Sequence, residues 1–288
     1  MRRLLVLSLM FGLSLGLLAG CQKETPTKQA KKTTATKAEN TSGGSTASGA
    51  LEFKGSATIK GRVTYNGDGT PVVNSMAPDK NKAECPASIM MSGWYCDKSS
   101  DKKGVRYAVV FIKPSGGMKM PKLGDDVLKA PSGKEILDMD QPRCQFEPRV
   151  IALGPKQDIR FKNDSQPPIS HDANLSGPAA FSKTLPPGNE HIYKDLETSD
   201  REPYKVSCNQ HSSFMSAFVW KFSHPYFAVT NDNGEFEIKN VPVPSNGKFD
   251  LVVWHEMLPS DVQNRKTAAA GIDLKDGGTA EVNVAIPK

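Results

Sequence analysis

Cys208-Asn-Gln-His211-Ser-Ser-Phe-Met215-Ser-Ala-Phe-Val-Trp-Lys-Phe222 is the stretch on which the reading of this chain turns. Its second half is β-branched and aromatic, and Phe218 to Phe222 reads as a strand. Its first half gathers a thiol, an imidazole and a thioether within eight residues, just before that strand. Thiolate and thioether are soft ligands and imidazole is intermediate. A short turn at a strand end holds such donors on one side of an ion.

Working upstream, a second imidazole is needed, and His171 supplies it. It follows Val150-Ile-Ala-Leu153, a Gly154-Pro155 turn and Ile159-Arg-Phe161, which together read as a hairpin ending at Asn163-Asp164. Two histidines, one cysteine and a weak methionine are the set that suits copper in electron-transfer sites. His171, Cys208, His211 and Met215 are therefore the candidate metal ligands. A second outcome stays open. Cys208 paired with Cys144 in a disulfide leaves no thiolate for copper, and His171 and Met215 are then a surface histidine and core packing.

Of the five cysteines, Cys85, Cys96, Cys144 and Cys208 form an even set beyond Cys21. Cys85 and Cys96 are near in sequence, and a loop-clamping disulfide between them is expected. Cys85, Cys96 and Cys144 are disulfide halves or neighbours of the ligands. No Cys-x-x-Cys-His run exists, which argues against covalent haem.

Elsewhere the pattern is short apolar runs between Gly, Pro, Asn and Asp turns. Ala57 to Tyr65 alternates and reads as an edge strand, whereas Val105 to Ile112 is nearly all apolar and reads as central. Phe227-Ala-Val-Thr230 and Glu235-Phe-Glu-Ile238 flank an Asn-Gly turn and read as a hairpin. Phe249 to Trp254 and Ala280 to Ile286 complete about ten strands. The passages 72–103, 114–145 and 165–205 read as mostly loop. An all-β chain with two Greek-key sandwiches or partly open barrels is expected.

Leu4 to Ala19 is uncharged, follows Arg2 and Arg3, and is short for a spanning helix. Leu17-Leu-Ala-Gly-Cys21 resembles the lipobox of bacterial lipoproteins. That resemblance implies cleavage before Cys21 and lipidation of its thiol and new amino end, with the lipid bilayer as partner. Gln22 is not the aspartate of an inner-membrane retention signal, which favours the outer membrane or cell surface. The signal would span 1–20 and a Lys/Thr/Ser/Gly-rich flexible tether 21–52. The net charge of +6 falls by two with Arg2 and Arg3, and most of the remainder lies in the tether. No basic stripe interleaved with aromatics exists, so no nucleic-acid partner is expected.

The stretch from Cys144-Gln-Phe-Glu-Pro148 through Val150–Asp164 and His171 to Cys208-x-x-His211-x-x-x-Met215 resembles the cupredoxin (plastocyanin-like) family. The Cys-x-Phe-x-Pro part is similar to a subgroup of secreted bacterial cupredoxin-like proteins. The resemblance implies one Greek-key β-sandwich over 119–222, copper on His171, Cys208, His211 and Met215, and an exposed His211 edge as the electron exit. Its partner would be another periplasmic or surface redox protein. Asp172 stands where that family usually has asparagine.

Phe227 to Pro242 with Lys248 to Trp254 resembles the carboxypeptidase regulatory-like (transthyretin-like) β-sandwich, whose first strand is similar to Ile59–Tyr65. That implies a sandwich of 53–118 and 223–288 with the cupredoxin-like part inserted; simple tandem domains are the alternative. Such sandwiches are usually non-catalytic. A copper enzyme would need a further centre from His191, His224 and His255, the remaining histidines. The expected function is a tethered copper-binding protein and one-electron carrier, and a role as an enzyme stays open. The alternative is a non-redox structural or interaction lipoprotein.

Overall fold

Val109-Val-Phe-Ile112, Val150-Ile-Ala-Leu153 and Leu251-Val-Val-Trp254 have no polar face to give to solvent, so each must be covered on both sides. A stack of four sheets meets that demand. The computed structural model describes residues 49–67, 74–92, 103–128, 133–211, 214–259 and 265–286. Cys21, the expected signal, most of the expected tether, and Cys96 lie outside them. Leu51, inside the stretch assigned to the tether by composition, is buried at 2% exposure.

In chain order the strands begin with β1 (Phe53–Tyr65), β2 (Asn74–Met76), β3 (Ile89–Ser92), β4 (Val109–Pro114) and β5 (Ile136–Met139). They continue with β6 (Val150–Leu153), β7 (Asp158–Lys162), β8 (His171–Ser176), β9 (Phe181–Leu185), β10 (Glu190–Tyr193), β11 (Tyr204–Ser207) and β12 (Ser216–Lys221). The last are β13 (Phe227–Val229), β14 (Glu235–Pro244), β15 (Phe249–Trp254), β16 (Arg265–Ile272), β17 (Thr279–Glu281) and β18 (Val284–Ile286). The chain is all-β among the described residues, apart from short 3₁₀ turns.

The first outer sheet is β14-β1-β17, with β18 also beside β1. Here Ile59 lies opposite Ile238 of β14 and beside Ala280 of β17. The second sheet is β13-β4-β15-β16, the third is β6-β12-β11-β8-β9, and the fourth is β10-β7-β5. β2 and β3 form a small ribbon.

Three apolar layers fill the gaps, and alternation along each strand assigns its side chains. Val110, Ile112, Leu251 and Val253 pack with Ile59, Val63, Phe236 and Ile238 between the first two sheets. Val109, Phe111, Val252 and Trp254 face the other way, onto Val150, Ala152, Trp220 and Phe222 of the third sheet. Ile151, Leu153, Ala217 and Val219 then face Ile159, Phe161 and Met139 of the fourth. The middle seam is aromatic: Phe111 lies 5.4 Å from Trp220 and 5.0 Å from Phe222, ring centre to ring centre.

Both expected hairpins are corrected by this layering. β6 joins the third sheet and β7 the fourth, so the Gly154-Pro155 turn carries the chain between layers. The reason is burial: β6 is buried throughout, whereas β7 alternates and has one solvent face. Likewise β13 pairs with β4 and β14 with β1. The Asn-Gly turn does form, with Gly234 at φ 74°. Any side chain there would strike the Val63 carbonyl at 2.2 Å, so the turn also needs glycine for its close packing on β1. The passage 165–205, expected as loop, holds β8, β9, β10 and the start of β11.

Candidate metal centre

The third sheet places the donors at one end. His171 is the first residue of β8, and Cys208 follows the last residue of β11. Asn209–His211 make a 3₁₀ turn, and Met215 precedes β12. Backbone bonds fix this turn: His211 N–H donates to the Cys208 carbonyl (3.1 Å), Met215 N–H to the His211 carbonyl (2.8 Å), and Cys208 N–H to the Met215 carbonyl (3.3 Å). All four residues predicted as ligands are buried, at 1% exposure or less.

The donor atoms of His171, Cys208 and His211 converge, all within 4.8 Å of one another. His171 Nδ1 lies 3.2 Å from His211 Nδ1, and Cys208 Sγ lies 3.9 Å from the first and 3.6 Å from the second. A first-row ion about 2.0–2.1 Å from each nitrogen and about 2.3 Å from sulfur gives similar spacings. With angles between tetrahedral and trigonal it leaves the nitrogens about 3.3–3.6 Å apart and each about 3.5–3.8 Å from the sulfur. The three side chains therefore fit a metal ion with little movement. Met215 is tied to the group through its backbone and packs in the same core as Cys208.

Cys208 is a free, buried cysteine. Among the described residues the disulfide is Cys85–Cys144. This corrects the expected Cys85–Cys96 pairing, and it closes the alternative in which Cys144 consumes Cys208. Residues 81–85 fold onto the metal turn, so Cys85 meets Cys144 there, although Cys96 is nearer in sequence.

Burial sets the protonation of the metal-free cluster. It pushes the Cys208 thiol above its ordinary value, against backbone N–H groups of Asp172, His211 and Gln210 that favour the thiolate. The Asp172 N–H points at Sγ from 3.3 Å. Burial, then the neighbouring His211, lower the His171 pKa to about 4. Burial, then Lys80, lower that of His211. At neutral pH the metal-free donors are thus uncharged, and metal binding releases the thiol proton.

One residue with a positioning role was read in the sequence only as a strand end. Asn163 is fully buried, and its Nδ2 donates to the carbonyls of Ile169 and Leu185, both at 2.8 Å. Ile169 leads into β8, and Leu185 lies opposite His171. Asn163 therefore pins the start of β8 from both sides. The signal in sequence was a lone amide at the end of an alternating strand, which is a weak one.

The expected exposed edge of His211 is also corrected, since the residue has 0% exposure. Its Nε2 lies 3.2 Å from Asn81 Oδ1, and the Asn81 segment covers it. Glu256 makes a buried ion pair with Arg149. His224 stacks between Phe222 and Tyr226 near the seam. Among the described residues, His191, His224 and His255 join no metal-competent group.

No protein-family model and no curated protein matches the chain. Solved structures similar to it include a copper-containing nitrite reductase from Thermus scotoductus SA-01, at 17% identity and TM-score 0.26. That likeness covers 38% of this chain and 25% of that one, so the chain spans about a quarter of the enzyme's length. A reduced amicyanin variant is similar at 14% identity and TM-score 0.25, over 38% of this chain and 98% of that one.

Proposed function

We propose that this chain is a lipid-tethered, extracytoplasmic copper protein that passes single electrons. The observation that carries this reading is the convergence of His171 Nδ1, His211 Nδ1 and a free Cys208 Sγ at metal-ligand spacing in a buried pocket. Two nitrogens, a thiolate and a nearby thioether favour copper over harder cations. Bound copper would supply a one-electron couple.

The chain's own residues do the rest. β8, β11 and β12 hold His171, Cys208, His211 and Met215 on a rigid sheet end, so the donors keep similar positions in both oxidation states. Asp172 donates to the sulfur, and Asn163 fixes the approach of His171. Burial excludes water from the cluster. With His211 covered, the neighbours a transferred electron would cross are the exposed Asn81, 3.2 Å from Nε2, and the buried Phe214 ring, 5.4 Å from the His211 ring.

The third and fourth sheets constitute a cupredoxin-like sandwich, and the first and second a regulatory-like one, into which the former is inserted. The lipid anchor at Cys21 and the tether are part of the proposal. About thirty flexible residues give a reach of roughly 30 Å, which suits brief encounters with redox partners in the cell envelope.

Cu(II) added to metal-free protein tests the reading. An intense thiolate-to-copper absorption band with narrow hyperfine splitting, lost in Cys208→Ser, is expected. A colourless protein that retains no copper after dialysis, with Cys208 found as a free thiol on unfolding, would refute it.

A further inference from the structure

A second donor group adjoins the first. The sulfurs of Cys85 and Cys144 and a ring nitrogen of His211 all lie within 4.8 Å of one another, and the three residues are buried. As a disulfide the two sulfurs are neutral and poor ligands; as thiolates they are strong ones.

The two cysteines are anchored independently of their bond. Cys85 and Glu84 N–H groups donate to the Asn81 carbonyl at 2.8 and 3.0 Å. Cys144 sits in a loop closed by a reciprocal backbone pair, Asp140 N–H to Glu147 O at 2.8 Å and Glu147 N–H to Asp140 O at 2.9 Å. Breaking the disulfide thus leaves each side chain on a segment that is still tied down. His211 turns Nδ1 to His171 and Cys208, and Nε2 to the Asn81 segment that carries Cys85. One ring has a nitrogen for each side.

We propose that Cys85, Cys144 and His211 form a redox-gated site for one Cu(I) ion, open only when the disulfide is reduced. A dithiol reductant opens it by thiol–disulfide exchange. The Cys85–Cys144 bond breaks, a disulfide forms in the reductant, and two electrons and two protons pass to the two cysteine sulfurs. Both thiol protons go to solvent when Cu(I) binds. Two thiolates and an imidazole make a soft, three-coordinate set. Lys80, whose charge already acts on His211, offsets the resulting negative charge. The site does not require the first one to be filled, and the chain becomes a copper acceptor whose capacity follows the thiol poise around it.

The test uses the full chain carrying Cys208→Ser and Cys96→Ser, which removes the first site's thiolate and the thiol that the Cys85–Cys144 pairing leaves over. Under anaerobic conditions it is treated with a phosphine reductant, freed of it, assayed for thiols, and titrated with Cu(I) against a chromophoric Cu(I) chelator. Before reduction no copper should leave the chelator; after reduction one equivalent per chain should. Adding Cys85→Ser and Cys144→Ser should abolish that equivalent. Three results overturn the proposal: free thiols without copper uptake, a disulfide that resists the reductant in the folded protein, or loss of the β circular-dichroism signal on reduction. The wild-type chain, unreduced, reports on the first site separately, so failure of either reading is seen alone.

Discussion

Replacing Glu256 by glutamine should destabilise the protein by about 3–5 kcal/mol, as expected when one partner of a buried ion pair is removed. Arg149 and Glu256 side chains are only 7% and 6% exposed. Arg149 Nε and Nη2 reach the two carboxylate oxygens at 2.5 and 2.7 Å, a bidentate pairing. Its Nη1 donates to the Ser216 carbonyl at 2.9 Å, so the guanidinium is fully engaged and cannot turn to water. Glu256→Gln keeps shape but leaves that cation uncompensated. For a chain of this size the loss corresponds to a midpoint about 6–20 °C lower in a thermal melt. Replacing both residues with methionine should recover most of the loss, because the desolvation of both charges is relieved together. Differential scanning calorimetry of wild type, Arg149→Met, Glu256→Met and the double methionine variant closes the cycle, with Glu256→Gln measured beside it. Additive single effects, or a Glu256→Gln cost below about 1 kcal/mol, would refute the claim that the pair is desolvated and coupled.

Three further outcomes are expected. Asn163→Ala removes the side-chain donor to the buried Leu185 carbonyl, while the Ile169 carbonyl keeps the Ser165 hydroxyl at 3.0 Å, and should cost about 1–3 kcal/mol in chemical denaturation. The same variant should bind copper about 10–100-fold more weakly in chelator competition. Burial lowers the His255 pKa to about 3, and its Nδ1 accepts from the Met257 N–H at 3.2 Å. An unfolded histidine takes its proton near pH 6.5, so this contribution is complete above that pH and declines as pH falls toward 3, by at most about 4–5 kcal/mol. His255→Gln, which keeps an acceptor, should flatten the stability of metal-free protein over that window in denaturant titrations. Phe111→Ala should cost about 3–5 kcal/mol by opening the aromatic seam, yet leave the copper absorption band unchanged, because Phe111 touches no donor.

The sequence speaks most clearly where burial is uniform. Val109–Ile112, Val150–Leu153 and Leu251–Trp254 read as strands because a doubly covered strand has nothing polar in it. It is mute about β9, whose Phe181-Ser-Lys-Thr run is exposed at a sheet edge and resembles loop. Turn chemistry at Gly154-Pro155 and Asn233-Gly234 announces a reversal but does not say which sheet receives the return strand. The contrast between unbroken β6 and alternating β7 holds that information, since the two patterns belong to different layers. Cys208, His211 and Met215 are legible because one turn gathers them. His171 is recognisable only as a histidine after a strand. The partner of Cys85 is set by how residues 81–85 drape over the metal turn, a long-range contact that spacing does not encode.

The pairing of β1 with β17 and β18 sets an order of assembly. The Arg62 N–H bonds to Asn283 across 221 residues, whereas Arg160 meets Asp138 across 22. A chain emerging from its amino end exposes β1 first and completes its sheet last. The third and fourth sheets, with all four donors of the first site, lie between residues 136 and 221 and close while the carboxyl end is still arriving. Contacts of short sequence separation form faster than remote ones. The donor cluster is therefore finished before the outer sheet, and metal loading need not wait for the end of the chain. Trimming the final strand should unzip β1 and leave the donors assembled.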